Sequence, residues 1–118
     1  MLVEISNGDL IDKISILEIK LDKFRDDSIK FHNVQKEYNI LVDCLDKIPF
    51  SLDYTDYKEL KKINEILWET EENVRKEKEF VKKAYFSEII HTMNDKRHVI
   101  KRYINEITKS NIIEEKRY

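Results

Sequence analysis

The 118-residue sequence has one glycine, one proline and one cysteine. Sheet proteins of this size need many more turn residues, so this scarcity leaves long helices joined by few turns. The lone cysteine, Cys44, excludes an internal disulfide. It lies between Leu41 and Leu45, the setting of a small buried hydrophobe, and no neighbouring base or cation marks it as a nucleophile. Neither sign of charge prevails: 22 basic residues stand against 24 acidic ones, for a formal net charge of −2. Attraction to nucleic acid is therefore not expected. No apolar run approaches the roughly 20 residues of a membrane span. Met1-Leu2-Val3-Glu4 has neither the basic start nor the apolar centre of a signal peptide. A cytoplasmic location without membrane contact is the expectation.

What the sequence does have is charge and helical periodicity. Charged residues make up 39% of the chain with the signs interleaved, as on solvated helix faces. The length suits one domain, residues 1–118, large enough to bury a core without disulfide or metal. The fold class read from this is all-α, an antiparallel bundle of about four helices with helices 3 and 4 long. Residues 1–6 form an extended arm and 110–118 a tail that docks on the bundle.

Ser6-Asn7-Gly8-Asp9 reads as a helix start, with Ser6 as cap and Asp9 in the first turn. Helix 1 runs from about 8 to 26 on a stripe of Leu10, Ile14, Leu17, Leu21 and Phe24. Ile11, Ile16 and Ile19 widen that stripe, so this helix touches more than one neighbour. Helix 2, about 29 to 47, carries Phe31, Val34, Tyr38, Leu41, Leu45 and Ile48, and Pro49 ends it. Phe50 and Tyr54 in the following loop plug the end of the bundle. Helix 3 starts near Thr55 with Leu60, Ile63, Leu67, Val74 and Val81, a stripe broken at Thr70, Glu71 and Lys78. A turn is expected near Ala84 to Ser87. Helix 4 then runs from about 88 to 109 on Ile89, Ile90, Met93, Ile100, Tyr103, Ile104 and Ile107, with Arg97 inside the seam.

Charged groups seldom face a core unless they are paired or bind something. Glu71 and Arg75 on helix 3, and Asn94, Arg97 and Lys101 on helix 4, converge if the two helices are antiparallel neighbours. One reading is a structural ion-pair network, with Glu71 the partner of Arg97. The other is a pocket for an anionic small molecule clamped by Arg75, Arg97 and Lys101, since the planar arginine fork suits carboxylate and phosphate. His91, Asp95 and His98 share a helix face and offer metal-ligand chemistry, but that face is polar and one helix rarely closes a site. Glu69-x-x-Glu72 followed by Glu88-x-x-His91 is similar in outline to the helical nucleotide pyrophosphatases, which hold magnesium with paired carboxylates. Here His91 stands at the fourth position, with Asp95 one turn on. The run Asp12-Lys13-Ile14-Ser15-Ile16-Leu17 loosely resembles the helical chorismate mutases, without their arginines in helix 1. No cofactor is expected.

Longer stretches are more specific. Residues 6–20, SNGDLIDKISILEIK, resemble the opening of an uncharacterised family of short helical bacterial and phage proteins. So do Leu67-Trp68-Glu69-Thr70-Glu71-Glu72 and the run from His91-Thr92-Met93-Asn94-Asp95-Lys96-Arg97 through Lys101-Arg102 and Asn105 to Glu114-Glu115-Lys116-Arg117-Tyr118. The family is a domain of unknown function; the resemblance implies an association with surface-polysaccharide synthesis and no activity.

Two functions follow. The first is a non-catalytic interaction or scaffolding module, a homodimer through helix 1 and the arm, because helix 1 is apolar over more than half its circumference. The second is a small-ligand site in the helix 3/4 seam, with or without catalysis. The first is preferred, since no complete catalytic constellation is present.

Overall fold

The computed structural model describes residues 1–49 and 53–115. They form four helices and no strand: α1 (Asn7–Lys23), α2 (Ser28–Leu45), α3 (Tyr54–Lys76) and α4 (Phe80–Ile107). Each of the first three is capped by the side chain before it. Ser6 Oγ accepts from Asp9 N at 3.1 Å, Asp27 Oδ1 from Lys30 N at 3.1 Å, and Asp53 Oδ1 from Thr55 N at 2.9 Å. The expected placing of Phe50 in the bundle end, and of Tyr118 in the tail, lies outside the described residues. Tyr54 does not plug the bundle; it is two-thirds exposed.

The turn expected at 84–87 is found earlier. Residues 77–79 are extended, and 84–87 lie inside α4. Glu77 makes the break, its Oε1 accepting from the backbone N–H of Lys78 at 3.2 Å and of Glu79 at 3.0 Å. Val81 thus belongs to α4, where it is exposed, not to the α3 stripe.

Helix α1 is the centre of the molecule. It packs against α2, α3 and α4, α3 packs against α4, and α2 meets no helix but α1. The deepest core gathers Ile11, Leu60 and Ile104, with Leu45, Ile48, Tyr57 and Ile100 against it. Ile11 and Ile19 are only 2% and 4% exposed and Ile16 is half-buried. The apolar breadth of α1 is largely used inside the chain, whereas Met1, Leu2 and Val3 of the arm on which a homodimer was expected are exposed. On α2 only Val34 is buried. No described helix is long and apolar enough to cross a membrane.

Gly8 fixes how closely α1 and α4 approach. A Cβ there would run into the Lys101 carbonyl, with Asn105 Oδ1 3.0 Å away. Without one, Gly8 N donates to Asn105 Oδ1 at 2.6 Å, and Asn7 N to Ser110 Oγ at 3.0 Å. The open backbone donors of the α1 start are thereby satisfied by α4 and the residues after it.

Candidate functional site

Halfway along α1 the seam turns polar. Asp12 and Ser15 are buried on the face toward α3 and α4, and Asn64 of α3 is buried opposite them. Arg97 reaches in from α4. Its Nε donates to Asp12 Oδ1 at 2.9 Å and its Nη2 to Asp12 Oδ2, the side-on fork that suits a carboxylate. Asn64 Nδ2 donates to Asp12 Oδ1 at 2.9 Å and to Ser15 Oγ at 2.8 Å. Ser15 Oγ donates to the Asp12 carbonyl at 2.7 Å. Four side chains from three helices form one network. Its two charges differ in burial: the Asp12 side chain is 3% exposed and that of Arg97 28%. The hydrogen bond to Asp12 raises the Arg97 pKa above its ordinary value, against the opposing effect of burial.

The exposed side of Arg97 faces a cleft of about 410 Å³ between α1, α3 and α4. Ile16, Leu67 and Trp68 form its apolar wall, and Glu71, Glu72, Arg75 and Asn94 line it with Asn64 and Arg97. Trp68 Nε1 donates to Glu72 Oε1 at 2.9 Å, and the indole meets the Phe24 ring edge-on at 6.1 Å. Four of the five residues singled out in the sequence, Glu71, Arg75, Asn94 and Arg97, therefore line one cleft. The fifth, Lys101, does not: it lies near the end of α4, paired with Asp9 at 2.6 Å and Glu114 at 3.3 Å. Glu71 is not the partner of Arg97. That partner is Asp12, which sequence reasoning passed over, as it did Asn64 and Trp68. The signal was present in α1, where Gly8, Asp12 and Ser15 fall at i, i+4 and i+7 between the flanking Ile11 and Ile16.

The acidic and histidine candidates are not brought together. Glu72 is at the cleft, whereas Glu69 lines a separate hollow with Glu65 and Phe31. Glu88, His91 and Asp95 are exposed on α4. Among the described residues no three His, Cys, Asp or Glu side chains gather so as to hold a metal ion. The two members of Glu69-x-x-Glu72 thus line different hollows of α3. Cys44 is half-buried, with its Sγ 3.4 Å from the Ile40 carbonyl.

The whole chain, residues 1–118, matches a family of unknown function, DUF6165. The chain belongs to DUF6165. No curated protein and no solved structure matches it. Membership agrees with the expectation of an uncharacterised family, and it brings no activity or ligand to the DUF6165 cleft.

Proposed function

We propose that this DUF6165 protein is a non-catalytic binding module whose α1/α3/α4 cleft takes a small, uncharged, hydroxyl-rich ligand. The observation that carries the reading is the state of Arg97. Its Nε and Nη2 are taken by Asp12, and the rest of the guanidinium edges an open cleft. A guanidinium already neutralised by a buried carboxylate adds little pull on an anion. Glu71 and Glu72 offset Arg75 and Arg97 among the cleft's own side chains. An anionic ligand therefore gains no excess of positive charge. Hydroxyl groups, each donor and acceptor, suit alternating carboxylate, amide and guanidinium partners, and Trp68 offers an apolar surface beside them. Asn64 adds a fixed acceptor. Both hydrogens of its Nδ2 are spent on Asp12 and Ser15, which leaves its carbonyl oxygen for a donor. A sugar-like ligand also suits the surface-polysaccharide association implied by the family resemblance.

The reading is tested by thermal-shift measurements with neutral monosaccharides, sugar phosphates, nucleotides and sulfate. A neutral sugar should raise the melting temperature of the wild type and not of Trp68→Ala. Stabilisation by sulfate or nucleotide, lost in Arg75→Ala, would replace this ligand class with the anionic one.

A further inference from the structure

Helix α4 packs against α1 and α3 on one side and leaves the other side uncovered among the described residues. Its exposed large apolar side chains are Phe80, Val81, Tyr85, Val99 and Tyr103. All but Phe80 fall on one stripe centred on Thr92. Val81 and Tyr103 stand eleven positions before and after Thr92, and Tyr85 and Val99 seven before and after. Glu88 and Lys96 stand four before and after. At 3.6 residues per turn, all of these lie within about 40° of the Thr92 direction. All are exposed. No side-chain hydrogen bond or ion pair among the described residues involves Glu88, Thr92 or Lys96. Reversed end to end, the stripe is its own complement: valine meets tyrosine and acid meets base. An isologous contact has this property, because a two-fold axis makes residue i meet j and j meet i.

We infer that two copies of this chain associate through α4, antiparallel, about a two-fold axis beside Thr92. The operation sets Val81 against Tyr103 of the second copy, Tyr85 against Val99 and Glu88 against Lys96, each of them twice. A parallel pairing would instead set Glu88 on Glu88 and Lys96 on Lys96, so charge selects the antiparallel one. The stripe is about 33 Å long at ~1.5 Å per residue. His91, Asp95 and His98 border it on the Glu88 side, and Ile89, Met93 and Ile100 on the Lys96 side. Asp95 adds a second acid to its border, beside the two histidines. Asn94 and Arg97, which line the ligand cleft, lie more than about 120° round the helix from Thr92. The inference therefore stands apart from the proposed ligand.

Sedimentation equilibrium of the full chain from about 1 µM to about 500 µM covers the range of a weak dimer. The wild type should pass from the mass of one chain to that of two. Val99→Asp should weaken association at least about tenfold. Lys96→Glu sets an acid against Glu88 at both ends of the contact and should weaken it roughly fivefold; adding Glu88→Lys should regain most of that loss. The axis itself is tested by Thr92→Cys in a Cys44→Ser background. Helices ~8–10 Å apart bring the two Cβ atoms at the axis to about 4 Å, the spacing of a disulfide. The two copies of a cysteine at position 96 would stand about 12 Å apart. Under mild oxidation Thr92→Cys should therefore cross-link at least about tenfold faster than Lys96→Cys. Each variant is first shown to be folded by circular dichroism. One chain mass throughout the range, no recovery in the double charge variant, or equal cross-linking rates would overturn the inference. So would a dimer that Val99→Asp leaves intact, since the contact would then use another face.

Discussion

Truncation of Arg97 to alanine probes the polar network most severely. The guanidinium is partly solvated, but the carboxylate it leaves behind on Asp12 is 3% exposed. Removing one partner of a buried pair typically destabilises by about 3–5 kcal/mol, because the other charge stays behind without compensation. The amide of Asn64 still donates to the carboxylate, which keeps the expected loss in the lower part of that range, about 3–4 kcal/mol. The assay is urea unfolding of both proteins at pH 7. Adding Asp12→Asn to Arg97→Ala should regain at least about 1 kcal/mol at pH 7, since it removes the stranded charge. A loss below about 1 kcal/mol, or no recovery in the double variant, would refute the reasoning.

Other outcomes follow from the packing. Gly8→Ala puts a methyl group against the Lys101 carbonyl; urea melts should show a loss of about 1–3 kcal/mol despite alanine's better helix propensity. Leu60→Ala empties the deepest core position and should cost about 2–5 kcal/mol in the same assay, whereas Ile40→Ala, more than half exposed, should stay within about 0.5 kcal/mol. Millimolar zinc or magnesium should leave the melting temperature unchanged, because the candidate ligands lie apart; a rise of several degrees that His91→Ala removes would restore a metal site.

The helices were legible because their determinants are local. The four- and three-residue spacing of Leu10, Ile14, Leu17 and Leu21 marks a helix wherever it lies, and Ser6 and Pro49 act on their immediate neighbours. The break at 77–79 was misplaced because it has no Gly or Pro. A glutamate side chain turns back onto two backbone N–H groups, and the outward sign was the failure of the apolar stripe at Lys78. The breadth of α1 marks a helix with more than one neighbour, and three helices of the same chain pack against it. The cleft was found in part for a related reason. Polar residues in an apolar seam are visible one helix at a time, so Arg97, Asn94 and Arg75 stood out. Their pairing is not visible that way. Asp12 is 85 positions from Arg97, and Glu71, nearer in the chain, was as plausible an acid until the helices were placed.

Binding of an uncharged ligand in the cleft beside Arg97 has a direct spectroscopic readout. A nitrogen-15 NMR titration that follows the Trp68 indole N–H and the Asn64 side-chain amide tests it most directly. Neutral monosaccharides should move both signals saturably, with the shifts reduced in Glu71→Ala and the Asn64 shift absent in Trp68→Ala, while phosphate leaves them in place. Signals that stay fixed with every sugar, or that move with phosphate instead, would contradict the claim.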